Sequence, residues 1–152
     1  MQRSLEDWLA LYAESHQHPQ NQLLHTLCVP LIMFSLLGLL AEIPLPISSD
    51  HAHLALPVVI LSLLFYLRLS LRYALIMLLV SVVMLGIIAL WQTASAAPIW
   101  PWMLGIFLIA WVGQFIGHKI EGKKPSFFQD LQFLLIGPLW VIVKLRQKTV
   151  NS

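Results

Sequence analysis

Charged residues are scarce in this sequence of 152 residues. It has only seven acidic and nine basic side chains, whereas 59% of its residues are apolar. A water-soluble domain of this length carries far more surface charge, and a disordered chain is much more polar. The net charge of +2 is also too small to favour a nucleic-acid partner. The composition therefore predicts an integral membrane protein that contacts membrane lipids.

Cysteine and the common enzyme motifs are also scarce. Cys28 is the one cysteine, so a disulfide framework is excluded. No HExxH, GxSxG, GxGxxG or P-loop motif occurs, and hydrolase or nucleotide-enzyme functions have no support. We expect no cleavable signal peptide, because acidic residues interrupt the start of the chain. Residues 1–16 instead predict an amphipathic helix in the membrane interface, capped by Ser4 and with Trp8 and Tyr12 on its apolar face.

Long apolar runs dominate the rest of the chain. A helix needs about 20 apolar residues to cross the hydrocarbon layer. Four runs predict such transmembrane helices: 19–41, 53–69, 72–91 and 99–117. A fifth run, 126–146, contains polar residues and the Gly137-Pro138 pair, which favours a re-entrant or interfacial segment over a fifth span. The predicted fold is an all-α polytopic helix bundle, with residues 1–152 in a single domain.

The basic residues predict the orientation of this bundle. The loops at 42–52 and 92–98 contain no lysine or arginine, whereas the other connections contain several. Because lysine and arginine concentrate on the cytoplasmic side of a membrane, we expect four crossings with both termini in the cytoplasm.

Two groups of polar side chains lie at the predicted cytoplasmic ends of the first and fourth spans. They are His16, Asn21 and His25 in the first group, and Gln114, His118 and Glu121 in the second. Residues four apart on a helix differ by about 40°, so Asn21 shares a face with His25 and Gln114 shares one with His118. Ionisable side chains within apolar helices are costly and usually face a functional interior.

A bend is predicted between the first helix and the first span. Pro19 suits the first turn of a new helix and disfavours a helical conformation of His18 before it. This bend would let His16 fold back over His25. The alternative for each histidine is an ordinary wetted residue at a helix end, and this is our interpretation of His18, His51 and His53.

Three imidazoles beside a carboxylate and two amides suit a borderline divalent metal such as iron, zinc, copper or manganese. In this interpretation the candidate catalytic residues are Asn21, Gln114 and Glu121, and Asn21 and Gln114 hold the imidazoles or a bound water in position. The spacing does not decide whether Glu121 binds the metal.

The same residues resemble a known family. His16, the PxN motif at Pro19 to Asn21, His25 and Pro30 are followed much later by two longer motifs, WxxQFxGHxxE and KKPxFFxDLxxLLIGPLW. This pattern is similar to the membrane 2-hydroxy fatty acid dioxygenase family, known from phytosphingosine breakdown in the endoplasmic reticulum and from many bacterial members. The resemblance extends over nearly the whole chain, while the apolar middle is generic.

The resemblance implies an Fe(II)-dependent enzyme of fatty acid α-oxidation, which uses O2 to shorten a 2-hydroxy fatty acid by one carbon. It implies His16, His25 and His118 as metal ligands and an inner-membrane location in a bacterium. A fatty acid in the bilayer has its carboxylate at the interface, where Lys123 or Lys124 would hold it. No oligomeric state is predicted.

Two other functions remain as alternatives. One is a four-helix membrane cytochrome with His25 and His118 as axial haem ligands, since helix bundles often hold cofactors between facing helices. The other is a non-enzymatic transporter or scaffold, against which the lack of an internal repeat counts.

Overall fold

The protein is built from helices. Its computed structural model describes residues 4–46, 52–122, 133 and 135–144. Within these residues there are six helices: α1 (Leu5–Glu14), α2 (Pro19–Ala41), α3 (Ala55–Leu69), α4 (Leu71–Ala94), α5 (Trp100–Glu121) and α6 (Leu135–Lys144). The all-α prediction is confirmed.

Three of these helices are long and apolar enough to cross a membrane, namely α2, α4 and α5 with 23, 24 and 22 residues. Helix α3 has only 15 residues. At 1.5 Å per residue it spans about 22 Å, less than the roughly 30 Å of a hydrocarbon core. The prediction of four crossings therefore remains a prediction, and the chain contains three helices of full spanning length within its described part.

Large apolar side chains cover the outside of the long helices. Leu90 of α4 is 71% exposed and Ile109 of α5 is 74% exposed, and many other leucines and isoleucines are similar. Apolar patches of this extent are rare on proteins that face water, whereas lipid tails surround them at no cost. The surface therefore agrees with an integral membrane protein.

The helix ends follow local chemistry that is visible in the sequence. Ser4 accepts a hydrogen bond from the Asp7 backbone N–H, and the Asp7 carboxylate accepts one from the Ser4 backbone N–H. This capping box confirms the predicted start of α1. Pro19 is the first residue of α2, where its missing N–H has no helical partner to lose. Helix α5 stops at Gly122, whose φ of 71° favours glycine.

The chain divides into two compact units. One consists of the described residues within Met1–Leu31 and Ile109–Ser152, and the other is Ile32–Leu108. The second unit has its core where residues from four helices meet: Leu37, Ala41, Ala55, Ile88, Ile99 and Met103. Helices α3 and α4 form a hairpin with Ser70 as their single connecting residue. The prediction of a single domain remains a prediction.

The first unit contains α6, which is buried on almost every side. Ile136 and Leu139 are completely buried, and Val141 is nearly so. The Gly137-Pro138 pair does not interrupt this helix, which runs through both residues to Lys144. Residues 126–132, 134 and 145–146 of the predicted fifth segment lie outside the described residues, as do His51, Lys123 and Lys124.

Candidate metal centre

Three histidines from distant parts of the chain converge in the first unit. His16 lies between α1 and α2, His25 is in the second turn of α2, and His118 is near the end of α5. The ring centroids of His16 and His25 are 4.2 Å apart, those of His25 and His118 5.0 Å, and those of His16 and His118 5.6 Å. One ligand nitrogen from each ring lies within 4.8 Å of the others. The predicted bend before Pro19 is confirmed, because His16 folds back onto His25.

The backbone fixes the tautomers of two of these rings. Nδ1 of His16 lies 2.6 Å from the Tyr12 carbonyl oxygen, and Nδ1 of His25 lies 3.1 Å from the Asn21 carbonyl oxygen. A carbonyl oxygen only accepts, so both Nδ1 atoms must donate. The proton is then on Nδ1, and Nε2 keeps its lone pair. This is the arrangement in which a histidine binds a metal through Nε2.

Burial keeps His16 uncharged. The His16 and His25 side chains are each 2% exposed. Removal from water lowers the pKa of His16 to about 4, because the charged imidazolium loses its hydration. At neutral pH the ring is therefore a neutral ligand. Its Nε2 is buried and has no hydrogen-bond partner among the described residues, an arrangement that is costly unless something else binds that nitrogen.

The donor set fits a divalent metal ion. Imidazole nitrogen is a ligand of intermediate softness that binds iron, zinc, copper and nickel. Three such nitrogens around one point leave coordination positions open to small molecules, as catalytic metal sites require. The three histidines could therefore hold one divalent metal ion.

Glu121 links the two segments that carry these histidines. Its carboxylate accepts hydrogen bonds from the backbone N–H groups of Gln17 (2.8 Å) and His18 (2.9 Å), and from Nδ2 of Asn21 (2.9 Å). These donors surround the N-terminal end of α2, where a negative charge is favourable. Glu121 does not belong to the histidine cluster. It joins the end of α5 to the connection that contains His16.

Asn21 continues this connection into the cluster. Its side chain is fully buried, and Nδ2 donates to the Ser15 carbonyl oxygen (3.3 Å) as well as to Glu121. The Asn21 carbonyl oxygen is the acceptor for His25 Nδ1. Glu121 and the His25 ring are therefore coupled through one asparagine.

Two glycines let α5 approach α2 closely. A Cβ atom at Gly113 would lie 2.5 Å from Cys28 Sγ, and one at Gly117 would collide with Asn21 Oδ1 and crowd the His25 ring. Small residues four apart are a common means of close helix packing in membranes. Here they bring His118 within reach of His25.

Gln114 is one turn before His118 on α5 and is 5% exposed. Its Nε2 is buried, and nothing within the described part of the chain accepts a hydrogen bond from it. The proposed supporting role of Gln114 remains a prediction.

Aromatic residues form a wall of the site that the sequence did not reveal. The Tyr12 ring stacks on the His16 ring, with centroids 4.1 Å apart and planes 3° apart. Phe133 and Trp140 pack against Tyr12, and Trp140 also lies 5.6 Å from the His16 ring. The prediction that Tyr12 lies on a membrane-facing surface is wrong, because its side chain is only 3% exposed. Its position four residues before His16, one helical turn away, was the available signal.

The sequence also did not indicate a second set of hydrogen bonds, which joins α6 to the segment that contains His16. The Gln22 side chain donates from Nε2 to the His16 carbonyl oxygen (2.7 Å) and accepts from Lys144 Nζ (2.6 Å). The ordinary-residue interpretation of His18 agrees with an exposed ring outside the cluster. Lys123 and Lys124, the predicted substrate-binding residues, lie outside the described residues.

Comparison with known proteins identifies the family. Residues 2–149 match the family described as 2-hydroxy-palmitic acid dioxygenase Mpo1-like. The chain is also similar to the 2-hydroxy-palmitic acid dioxygenase MPO1 of Saccharomyces cerevisiae, with 29% identity over 140 residues that cover 91% of this chain and 77% of the yeast protein. No solved structure matches the chain. The match extends over nearly the whole sequence, and the chain therefore belongs to the 2-hydroxy-palmitic acid dioxygenase Mpo1-like family.

Proposed function

We propose that this protein is an Fe(II)-dependent dioxygenase that shortens 2-hydroxy fatty acids by one carbon. The observation that carries this proposal is the convergence of His16, His25 and His118 on one point, in a chain of a family named for this activity. The yeast relative is named for 2-hydroxy-palmitic acid. A long-chain acid of this kind suits a protein whose outer surface is apolar.

The proposed reaction balances without an added reductant. The bond between C1 and C2 of the 2-hydroxy acid breaks, C1 leaves as CO2, and C2 becomes the carboxyl carbon of the shorter acid. The organic substrate loses four electrons and one O2 takes up four, with one molecule of water as the further product. One O2 is consumed for each CO2 released.

The three histidines are the proposed metal ligands, each through one ring nitrogen. Fe(II), when bound, supplies the one-electron chemistry that lets dioxygen react with a closed-shell acid. Asn21 and Glu121 are proposed as positioning residues that hold His16 and His25 in their geometry. Gln114 is proposed to donate a hydrogen bond into the site.

We propose that the site lies at the cytoplasmic interface of a bacterial inner membrane, with both termini in the cytoplasm. Support comes from the three long apolar helices and from the arginines that flank the α3–α4 turn, Arg68 and Arg72. A hairpin of α3 and α4 fits a four-span arrangement, in which α3 crosses with local thinning of the bilayer. Lys123 and Lys124 remain candidates for binding the substrate carboxylate.

The geometry favours a single ion over haem. Axial imidazoles of a haem point toward each other from opposite faces of a macrocycle, which needs open space between them. The His25 and His118 rings instead meet edge to face at 5.0 Å, with His16 beside both. A Soret band in the purified protein would support the cytochrome. Absence of bound metal after purification with excess metal would favour a transporter or scaffold.

Replacement of a cluster histidine should remove the metal and leave the protein in the membrane. We expect His25→Ala and His118→Ala each to lower the bound metal per chain at least tenfold, because two imidazoles hold an ion far less tightly than three. Metal content of the purified variants measures this. The matched control is His18→Ala, whose exposed ring lies outside the cluster. Metal content equal to wild type in both cluster variants would refute the ligand assignment.

Loss of the Glu121 charge should weaken metal binding indirectly. Glutamine at this position keeps the shape of the side chain but has one carbonyl oxygen for three donors. The hydrogen bonds that hold the segment after His16 against the end of α5 are therefore weakened. Residues that orient metal ligands typically contribute 10- to 100-fold to metal affinity, and we expect about a tenfold loss in Glu121→Gln, measured by competition with a chelator.

The control for this variant is Glu42→Gln, which changes a carboxylate that accepts one hydrogen bond from Gln92 in the other unit. An unchanged metal affinity in Glu121→Gln would contradict the positioning role.

The stoichiometry of the reaction tests the proposed chemistry. Purified protein loaded with Fe(II) should consume one O2 and release one CO2 for each 2-hydroxypalmitic acid, with no reductant and no 2-oxo acid added. An oxygen electrode and trapped CO2 measure the ratio, and palmitic acid is the control substrate. Dependence on an added reductant, or equal turnover of palmitic acid, would contradict the proposal.

A further inference from the structure

A buried glutamine on α5 lacks a hydrogen-bond partner beside the histidine cluster. Gln114 is 5% exposed, and its Nε2 atom is buried without an acceptor among the residues that the structure describes. This is costly, because the same NH2 group would donate two hydrogen bonds in water. Buried polar groups in folded proteins are almost always paired with protein, water or a ligand. We therefore expect a ligand of the site to supply the missing partner.

Two other buried atoms near the cluster also have no hydrogen bond within the described ranges, but each has an explanation. His16 Nε2 is a candidate metal ligand. Asn21 Oδ1 lies against the backbone of α5, since a Cβ atom at Gly117 would collide with it. Gln114 is thus the polar group that neither the proposed metal nor the packing of the helices uses.

The spacing along α5 places Gln114 on the face that carries His118. Residues four apart on a helix differ by about 40° around the axis, and residues three apart by about 60°. Gln114 therefore shares a face with His118, and Gly117 lies beside it. A Cβ atom at Gly117 would crowd the His25 ring, so this side of α5 is turned toward α2 and the cluster.

Gln114 also lies deeper along α5 than His118. The two residues are four apart, which is about 6 Å along the helix axis, and Gln114 is the one further from the end of α5. At this depth α5 packs against an apolar part of α2, where a Cβ atom at Gly113 would collide with Cys28 Sγ. If the end of α5 lies at the proposed cytoplasmic interface, Gln114 is on the hydrocarbon side of His118.

This depth corresponds to a particular part of a bound fatty acid. Its carboxylate lies at the interface, and its carbon chain extends toward the hydrocarbon layer. C2 and the hydroxyl on it are then on the chain side of the carboxylate. Gln114 is therefore better placed for the hydroxyl than for the carboxylate.

From this placement we propose that Gln114 binds the 2-hydroxyl of the substrate and so distinguishes 2-hydroxy acids from unsubstituted fatty acids. This inference rests on the proposed function. A hydroxyl both donates and accepts hydrogen bonds, as a side-chain amide does, so the two groups match in either orientation of the amide. In a site built to bind a substrate hydroxyl, an analogue without it leaves a buried polar group unpaired and is rejected.

The test compares the affinities of 2-hydroxypalmitic acid and palmitic acid, which differ only in this hydroxyl. Protein loaded with Fe(II) is titrated with each acid in detergent micelles without oxygen, and tryptophan fluorescence reports binding. Partition of each acid into micelles is the same for all variants, so it cancels in the ratio to wild type. Gln114→Met keeps the length of the side chain but removes its amide. We expect it to raise the Kd of the 2-hydroxy acid about tenfold and not to raise that of palmitic acid.

Two further variants accompany this comparison. Gln20→Met makes the same change at an exposed glutamine of α2 and should bind both acids as wild type does. Gln114→Asn keeps the amide but withdraws it by one methylene group, and should lower the preference for the 2-hydroxy acid about threefold or more. Metal content and thermal unfolding show whether each variant is folded, and Gln114→Asn decides the matter if Gln114→Met is not. A variant that keeps its metal but loses the preference locates the hydroxyl contact at Gln114 instead of at the metal.

Two results would overturn the inference. One is a preference for the 2-hydroxy acid that equals the wild-type preference in the folded Gln114 variants. The other is a loss of both acids by the same factor, which would indicate that Gln114 contacts the carboxylate or has a packing role alone. Because binding is measured without turnover, the proposed function can fail separately. A wild-type protein that shows the preference due to Gln114 but consumes no O2 would refute the proposed function and leave the hydroxyl site standing.

Discussion

One carboxylate holds together two parts of the chain that are about 100 residues apart. Glu121 ends α5 with a negative charge, which is unfavourable at the C-terminal end of its own helix. The donors at the start of α2 offset this, since they offer three hydrogen bonds to the same side chain. With that end fixed, the rings of His118 on α5 and of His16 before α2 both lie beside the His25 ring and beside each other. The small residues Gly113 and Gly117 set the distance between the helices, and the histidine cluster depends on both features.

Much of this arrangement was predictable from local rules. The four-residue spacing of Asn21 and His25 and the proline after His18 predicted a bend and a shared face, and both are found because they depend on helix geometry alone. The contacts of Tyr12 with Phe133 and Trp140 were not predictable. The apolar face of α1 could equally contact lipid or protein. Which of the two it contacts depends on α6, and α6 is so far from α1 in the sequence that no spacing pattern indicates the contact. The sequence also indicated that Glu121 lies near the cluster. It could not indicate that two of its partners are backbone N–H groups, because every residue except proline has one.

The length of α3 marks the limit of reasoning from apolar runs. The run at 53–69 predicted a span, yet the first two residues of the run are used in the connection before α3. His53 forms a short backbone bridge with Pro44, and the remaining 15 residues make the helix. Hydropathy measures how well a segment tolerates lipid. It does not indicate how many residues of the segment form the connection before the helix.

The central claim is that three imidazoles bind one metal ion. X-ray absorption spectroscopy at the edge of the metal in the purified, metal-loaded protein tests it most directly. The account predicts scattering from three imidazole rings around a single ion, with the remaining positions occupied by light oxygen or nitrogen atoms and with one ring fewer in His118→Ala. A spectrum with sulfur ligands, or with the same number of imidazoles in wild type and His118→Ala, would contradict it.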